Sequence, residues 1–483
     1  MTTTIATRPP GEDTGFLERL WSDAPGIPGF LTTVDHKRIG TRYFVTSFLF
    51  LLVGGVQALL IRLQLAGPNQ DLLDPEAFNQ LMTMHGTTMI FLFNTPIMLG
   101  GFGNYVTPLQ IGARDMAFPR VNALSYWIFL FSGGLMYASF FLGKMPDGGW
   151  FAYPPLTGPV FSPGVNLDFW AVGVIFVGLS TTAGAINLIV TIFRLRAPGM
   201  SLNRMPLFVW AVLVTSFMSL FAFPAITLAP LLLELDRIFG MTWYWPAAGG
   251  SAVLYQHLFW FWGHPEVYIL LVPATGIVST VIPVFARHRI VGYSWMATAL
   301  VAIGFLSFGV WVHHMFAVGV PFLGALFFAM ASLLITIPSG VQFFGWIATV
   351  WRGRRPVFST PMLFSLGFLF IFLLGGFTGV MVAVLPFDLQ VHDSYFVVAH
   401  FHYVLIGGVV FPVFAGIYYW LPKLTGRMFS ERAGKVSFWT MFVGFNVAFF
   451  PMHILGLFGM PRRVYTYQEG LGWDGYNLVA TLG

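Results

Sequence analysis

Long apolar runs alternate with short polar connections over most of this chain. The hydrocarbon core of a bilayer is about 30 Å thick, and a helix needs about 20 apolar residues to cross it. Eleven runs meet this requirement, at 43–64, 83–108, 122–143, 169–193, 207–233, 253–285, 292–319, 321–350, 361–385, 396–421 and 436–460. The pattern predicts an all-α integral membrane protein whose spans form a helix bundle.

A polar segment precedes the first apolar run. Residues 1–36 are rich in Pro, Gly and acidic residues, without the apolar core of a signal peptide or the Arg- and Ser-rich, acid-poor composition of a transit peptide. We interpret them as an N-terminal arm. No internal repeat is evident, so residues 37–483 are predicted to form one membrane domain.

Composition and charge agree with the hydrophobic pattern. Hydrophobic residues make up 57% of the chain and charged residues 9%, whereas about a quarter of a soluble domain is charged. Most of the 24 Lys and Arg residues fall before the first span and in alternate loops, which places the N-terminus in the cytoplasm. This topology accounts for the net charge of +5, so no nucleic-acid partner is expected. The absence of Cys excludes disulfides and thiolate metal sites.

Few ionisable residues lie within the predicted spans. Such groups are costly in a membrane and are usually functional when present. A single one could merely bond a neighbouring helix, whereas several at one depth indicate a site. They are His85, His257, His264, Glu266, His313, His314, His400, His402 and His453.

The stretch FWFWGHPEVYILL, residues 259–271, has the most informative spacing. His264 and Tyr268 are four residues apart and share a helical face, while Glu266 points elsewhere. Pro265 removes a backbone donor and loosens the helix beside His264. A metal ligand, a phenol on the same face and a separate buried acid favour redox chemistry with proton delivery. The competing interpretation is a Pro-kinked span with incidental polar groups.

The stretch VWVHHMFAVG carries adjacent histidines, His313 and His314. Neighbours on a regular helix diverge by about 100°, so both can reach one metal only at a helix end or beside a distortion. Together with His264 they would offer three neutral nitrogen ligands, a set that suits Cu, Zn or Fe. An open fourth position would make such a site catalytic, by analogy with zinc.

The stretch VVAHFHYV places His400 and His402 two residues apart, on nearly opposite sides of a helix. Such imidazoles cannot bind one ion, but each could ligate a separate haem. A low-spin haem needs a second axial histidine, and His85 is available. Arg462 and Arg463 could neutralise haem propionates.

At these residues the chain resembles subunit I of the haem-copper oxidases, the cytochrome c and quinol oxidases of the A-type. The resemblance runs from DHKRIG at 35–40 to the end, through MHGTTM, GNYVTPLQIGARDMAFPR, GHPEVY, HHMF, HDSYFVVAHFHYV and MPRR. The family has twelve spans. The final LGWDGYNLVATLG is similar to the opening of the twelfth, and we expect the sequence to be truncated there.

The resemblance implies two haems, with haem A expected, and one copper. His85 and His402 would hold the low-spin haem, and His400 the high-spin haem at which O2 binds. His264, His313 and His314 would hold the copper, with Tyr268 cross-linked to one of them as a donor of an electron and a proton.

Other positions match the surroundings of these cofactors in the family. Arg462, Arg463 and Asp388 would surround the propionates, and Arg62 would contact a substituent of the low-spin haem. His392 and Asp393 match a magnesium site at the boundary with subunit II.

The resemblance also implies a proton route. Asp115 would be its entrance and Glu266 its buried branch point. Its lining would comprise Asn104, Asn122, Ser180, Thr181 and Asn187. For the Asn residues a structural role is an open alternative, because polar residues also join membrane helices.

A second proton path departs from the family pattern. The family has Lys in a Pro-Thr-Gly-Val-Lys sequence of the eighth span, and this chain reads IPSGVQFF with Gln342 at that position. Ser279, Ser332 and Ser339 still match the lining. The path therefore either works through water and an uncharged amide or is lost.

The electron donor is suggested by three positions near the first two spans. Quinol-using members have Arg, Asp and His where this chain has Val53, Gln57 and Ala77. Together with Asp393, this favours cytochrome c acting through a copper-bearing subunit II.

The resemblance thus implies the catalytic subunit of a terminal respiratory oxidase that reduces O2 to water and pumps protons, in a bacterial cell membrane, with subunits II and III and membrane lipid as partners. Gln342 keeps open an NO reductase of the same superfamily. The buried polar groups alone would also be compatible with a non-enzymatic transporter.

Overall fold

The computed structural model describes Ser22 and residues 24–483, and this part of the chain is all-α. Its helices are α1 (Gly26–Thr32), α2 (His36–Gln64), α3 (Pro75–Thr87), α4 (Asn104–Ile111), α5 (Pro119–Phe141), α6 (Asn166–Arg194), α7 (Leu207–Phe239), α8 (Ala252–Ala286), α9 (Tyr293–Leu306), α10 (Phe322–Leu334), α11 (Thr336–Trp351), α12 (Thr360–Ala383), α13 (Leu385–Val391), α14 (Tyr395–His402), α15 (Phe411–Thr425), α16 (Glu431–Leu457) and α17 (Asp474–Leu482). Most of the predicted arm lies outside the described residues.

Ten helical stretches of the described chain are long and apolar enough to cross a membrane, and each coincides with a predicted span. The remaining predicted span, 83–108, falls in the continuous helical run from α3 to α4. Two π-helical segments, Thr88–Asn94 and Pro96–Gly103, divide that run into short pieces. The prediction of an all-α membrane protein is therefore confirmed. The predicted span 83–108 is not one long α-helix because the two π-helical segments interrupt it.

The π-helical segments were not predicted. A third one, Tyr403–Val410, joins α14 to α15. One π segment thus follows His85 closely and another begins directly after His402. Segments of this kind re-aim side chains within a helix and are frequent at functional sites.

Successive spans run in opposite directions, so the connections gather at two ends. We call the end where α2 begins the proximal end, and the end where α2 finishes the distal end. At the proximal end Ala197 N donates to Ile111 O over 2.8 Å. At the distal end Arg62 Nη2 donates to Asn477 O over 2.9 Å, which attaches α17 to α2.

The centre of the bundle is formed by α8. In the most apolar stretch of α8, 78% of the residues are buried, whereas the value for α2 is 17%. Helix α8 therefore lies inside the bundle and α2 at its edge. The core around it is aromatic, with fully buried Trp170, Trp262 and Trp346. The residues of the GHPEVY motif therefore lie in the interior of the bundle.

Candidate functional site

One large cavity occupies the distal half of the bundle interior. Its volume is about 1590 Å³, and its lining is mostly apolar. The histidines that line it are His85, His264, His313, His314, His400 and His402. Among the span residues singled out from the sequence, His257, His453 and Glu266 are not part of the lining. The sequence-predicted ligands thus converge on one space, as expected.

Three of these histidines form a metal-binding geometry. The ligand atoms of His264, His313 and His314 all lie within 4.8 Å of one another, and the structure identifies this set as a group that could hold a metal ion. His264 Nδ1 lies 3.1 Å from His314 Nε2. His313 approaches from the side, with its ring centroid 4.5 Å from that of His264.

A distorted helix brings the adjacent histidines to one point. The α-helical geometry of α9 ends at Leu306, and tight 3-10 turns continue from Ser307 to Val318. Met315 has non-helical angles, φ −125° and ψ 18°. The distortion that two neighbouring ligands require is therefore present directly beside His313 and His314.

Hydrogen bonds fix which nitrogen of His313 faces the metal position. His313 Nδ1 lies 2.7 Å from Ser332 Oγ, and that hydroxyl donates its own proton to Phe328 O over 2.6 Å. The hydroxyl must therefore accept from Nδ1–H, which leaves the lone pair of Nε2 for a metal.

Tyr268 lies one turn after His264 on α8, as the spacing predicts. The two ring centroids are 4.7 Å apart, and Tyr268 lines the cavity. The phenol is thus placed beside a metal-ligand candidate, within the same space.

Trp260 is a part of this site that sequence reasoning missed. Its indole stacks on the His314 ring with centroids 3.9 Å apart and planes inclined by 8°. Its Nε1–H donates to the Tyr153 hydroxyl. Trp260 is four residues before His264, so the helical spacing that identified Tyr268 could have identified it as well.

His400 and His402 face different neighbours. His400 Nδ1 donates to Gly375 O on α12 over 3.1 Å, and Gly379 leaves its ring room, because a Cβ there would lie 3.0 Å from His400 Cε1. The His402 ring stacks on Phe449 of α16 with centroids 4.2 Å apart. The divergence predicted from the two-residue offset is present.

The three haem-ligand candidates share one hydrogen-bond pattern. In each, Nδ1 faces a backbone carbonyl: Gly54 O for His85 at 2.9 Å, Gly375 O for His400 at 3.1 Å, and Val398 O for His402 at 2.8 Å. A carbonyl only accepts, so Nδ1 carries the proton and Nε2 is the free ligand atom. Each of the three rings thus has the tautomer that would let Nε2 bind a haem iron.

The three arginines singled out from the sequence lie at the large cavity and also bind other parts of the chain. Arg62, Arg462 and Arg463 line the cavity. Arg62 Nη2 donates to Asn477 and to Thr481 Oγ1, the latter over 3.1 Å. The Arg463 guanidinium lies over the Phe151 ring at 4.1 Å.

Asp388 does not line the cavity. It is buried and accepts from His392 Nδ1 over 2.7 Å, a hydrogen bond that raises the pKa of His392. The neighbouring Asp393 pairs with Arg462 at 3.3 Å. The two predicted magnesium ligands therefore lie in an ion-pair cluster at the distal end.

A second, small cavity of about 40 Å³ lies proximal to the first. Asn104 and Asn122 at its wall exchange reciprocal amide hydrogen bonds of 2.8 and 2.9 Å. Ser180 and Thr181 line it as well, and so does Thr95, whose hydroxyl donates to Glu266. Thr95 was missed by sequence reasoning, yet it is the contact that joins the polar cavity to Glu266.

The two remaining members of the predicted route behave differently. Asp115 lies in the proximal loop just before Met116, which lines the small cavity, and burial raises the pKa of its carboxyl. Asn187 lies outside the lining. Its side chain accepts from Phe118 N and donates to Phe118 O, both at 2.9 Å, so it fastens the backbone of the preceding loop.

The residues of the second predicted path have different surroundings. Ser332 and Ser339 line the large cavity. Ser279 accepts from Trp346 Nε1 over 2.9 Å, outside that cavity. Gln342 is buried on α11 with 2% exposure, and its amide nitrogen has no hydrogen-bond partner among the described residues.

Comparisons with known proteins agree with this geometry. The family model of Cytochrome C and Quinol oxidase polypeptide I matches residues 38–483. Cytochrome c oxidase subunit 1 of Bacillus sp. (strain PS3) is 50% identical over 455 residues, which cover 94% of this chain and 73% of that protein. A putative cytochrome c oxidase subunit 1-beta of Streptomyces coelicolor is 53% identical over 454 residues, covering 94% of this chain and 78% of that protein.

A solved structure has the same fold. A haem-copper terminal oxidase dimer matches with a TM-score of 0.76 over 92% of this chain and 80% of its own, at 20% sequence identity. At that identity the match supports the bundle architecture alone.

Proposed function

Because this chain belongs to the cytochrome c and quinol oxidase polypeptide I family, subunit I of the haem-copper oxidases, we propose the following assignment of its residues. The chain is the catalytic subunit of a cytochrome c oxidase, in which four electrons and four protons convert O2 to two waters. The observation that carries the assignment is the cluster of His264, His313 and His314 inside a cavity that three further histidines line.

The residues present fit two haems and one copper. The cavity has the volume and apolar lining that macrocycles need, and the haem-ligand candidates all present Nε2 as the free atom. His85 and His402 would hold the low-spin haem, His400 the high-spin haem and the three-histidine cluster the copper. When bound, these groups supply the electron-transfer steps and the position at which O2 binds.

The chain itself orients the ligands and holds a proton donor. Ser332 fixes the tautomer of His313, and Trp260 restrains the plane of His314. Tyr268, half-buried beside His264, keeps a phenolic proton next to the reaction space. Arg62, Arg462 and Arg463 would meet the polar substituents of the haems, and haem A is our expectation for both.

We assign proton delivery to the small polar cavity. Asp115 takes up protons at the proximal end, and water between Asn104, Asn122, Ser180 and Thr181 carries them to Thr95. Thr95 hands them to Glu266 through its hydrogen bond. Asn187 contributes by fixing the Phe118 backbone at the entrance, which is a narrower role than the sequence suggested.

The second path would have to pass the buried amide of Gln342. The residues assigned to this path, Ser279, Ser332, Ser339 and Gln342, include no ionisable group, and Ser279 is bonded to Trp346. We infer that the route through Asp115 carries the larger share of the protons.

The electron donor is inferred from the quinol-pocket positions. Gln57 is buried and donates to the Tyr137 hydroxyl over 3.3 Å, Val53 is exposed on α2, and Ala77 is in the first turn of α3. None of the three offers the charged group of a quinol site. Cytochrome c, acting through subunit II, is therefore the proposed donor.

Partners and orientation follow from the same positions. The His392 and Asp393 cluster would meet subunit II and a magnesium ion at the distal end, and subunit III and membrane lipid would cover other faces. The proximal end, where most loop arginines lie, would face the cytoplasm of a bacterial cell.

The test uses the purified oxidase complex. Pyridine haemochrome analysis and metal quantification should give two haems and one copper for each copy of this chain. Reduced cytochrome c should support O2 uptake, while ubiquinol and NO should support little turnover. NO consumption without O2 consumption would instead establish an NO reductase, and a preparation without haem absorbance would favour a transporter.

A further inference from the structure

The connection between α5 and α6 closes the distal end of the large cavity. Gly149, Trp150 and Phe151 of this connection line the cavity. Phe151 lies under the Arg463 guanidinium at 4.1 Å. Trp150 packs so closely on α3 that a Cβ at Gly86 would lie 2.8 Å from it. We call residues 149–164 the roof loop.

A single guanidinium fastens the far half of the roof loop. Arg237, near the end of α7, donates to Asp168 Oδ1 over 2.5 Å. Its Nη atoms donate to three carbonyl oxygens of the roof loop, those of Thr157 at 2.7 Å, Ser162 at 2.8 Å and Gly164 at 2.6 Å. The Arg237 side chain is 4% exposed, and its bonds to Thr157 and Ser162 are partly buried, whereas the bond to Gly164 lies at the surface.

A series of hydrogen bonds connects the part of the roof loop held by Arg237 to the large cavity. Thr157 Oγ1 donates to Ala152 O over 2.9 Å, and Thr157 N donates to Tyr153 O over 3.3 Å. The Tyr153 hydroxyl accepts from Trp260, and Trp260 stacks on His314. The anchored half of the loop is therefore in continuous contact with a copper-ligand candidate.

We propose that Arg237 is a positioning residue of the oxidase: by holding the roof loop, it fixes Trp260 on His314 and Phe151 under Arg463. The guanidinium is suited to this task because its planar fork reaches an acid and several carbonyls at once. Lysine would keep the charge but could not span the same acceptors. The inference deepens the proposed function, because the roof encloses the space assigned to the haems and copper.

The test compares Arg237→Lys with Arg196→Lys in the intact complex. Arg196 is a matched control, because it also binds backbone carbonyls, Met200 O at 2.9 Å and Ile192 O at 2.5 Å, but at the proximal end. In Arg237→Lys, hydrogen exchange of amides in 149–164 should become about tenfold faster, as expected for the loss of partly buried charge-assisted hydrogen bonds. Arg196→Lys should leave exchange there unchanged.

A second measurement reports on His314, the metal-ligand candidate on which Trp260 stacks. The infrared stretch of CO transferred by photolysis from the high-spin haem to the reduced copper should shift or broaden in Arg237→Lys, while haem and copper content stay at the wild-type level. If Arg237→Lys does not assemble, Asp168→Asn retains the three carbonyl bonds and should show the same changes at smaller amplitude.

Two results would overturn the proposal. Unchanged exchange in 149–164 would mean that Arg237 does not hold the roof loop, and faster exchange with an unaltered CO band would mean that the loop does not position His314. A wild-type complex without haem or copper would refute the proposed function instead, and the exchange comparison would still stand.

Discussion

His264 Nδ1 and His314 Nε2 lie 3.1 Å apart, although 50 residues separate the two in the chain. Nitrogens bound to one tetrahedral metal at about 2.0–2.1 Å are themselves about 3.3 Å apart. The two imidazoles thus already have nearly the spacing of co-ligands. His313, next to His314 on the same distorted turn, is the third member of the group. The ligand atoms of all three histidines lie within 4.8 Å of one another.

The first prediction concerns this cluster. His314→Ala should remove the copper, because the remaining two imidazoles cannot hold it against buffer ligands, while the low-spin haem spectrum stays. Metal quantification of the purified complex checks this. His288→Ala is the control, because His288 is in the loop after α8 and its ring lies near Arg289 O, at 2.6 Å, outside the three-histidine cluster. Full copper content in His314→Ala would contradict the assignment.

The second prediction concerns the hydroxyl behind a ligand. Ser332→Ala removes the acceptor of His313 Nδ1–H, so copper affinity should fall about 10- to 100-fold. Competition with a copper chelator measures it. Ser339→Ala is a matched control, because Ser339 also lines the cavity but bonds only Ile335 O among the residues described. Equal affinities in the two variants would mean that Ser332 has no orienting role.

The third prediction separates the two haems. His402→Ala should abolish the low-spin spectrum, and His400→Ala should chiefly lose the high-spin, ligand-binding haem, because the two rings face different sides of α14. Optical spectra with and without CO distinguish the outcomes. His453→Ala, a buried histidine outside the cavity lining, should retain both spectra. Loss of the same haem in both α14 variants would refute the divided arrangement.

Glu266→Gln is the fourth prediction. The amide cannot release a proton, so turnover should fall at least about 100-fold, the usual range for loss of a proton-transfer group. The haem spectra should not change, because Glu266 does not line the large cavity. The control is Glu431→Gln, since Glu431 is also on a membrane helix, in the first turn of α16, but lines neither cavity. O2 uptake and stopped-flow proton uptake measure the effect.

Much of the fold was predictable because membrane spans require long apolar runs, whatever their neighbours are. The histidine site was predictable for a related reason: imidazoles are rare in spans, so those present point to function. His264 and Tyr268 illustrate it, since a four-residue offset alone placed both on one side of the cavity.

Contacts across helices were not predictable from spacing. In the sequence Thr95 is an ordinary polar residue. In the structure it lies between two π-helical segments, and its hydroxyl donates to Glu266. One carboxylate oxygen of Asp388 accepts from His392, and the Asn187 amide bonds the Phe118 backbone, two contacts that sequence spacing did not predict. Family motifs identify such residues, whereas their hydrogen-bond partners depend on the packing of distant segments.

The fifth prediction concerns the proximal entrance. Asp115→Asn should slow turnover and proton uptake, because the amide cannot pass protons to the water of the small cavity. Burial raises the pKa of Asp115, so the wild-type carboxyl keeps its proton to a higher pH than an ordinary Asp. Asp147→Asn is a matched control at the distal end, since burial raises the pKa of that carboxyl too. O2 uptake of the two variants between pH 6 and 9 (about the working range of such enzymes) gives the comparison. Equal activity of Asp115→Asn and wild type across that range would exclude Asp115 as the entrance.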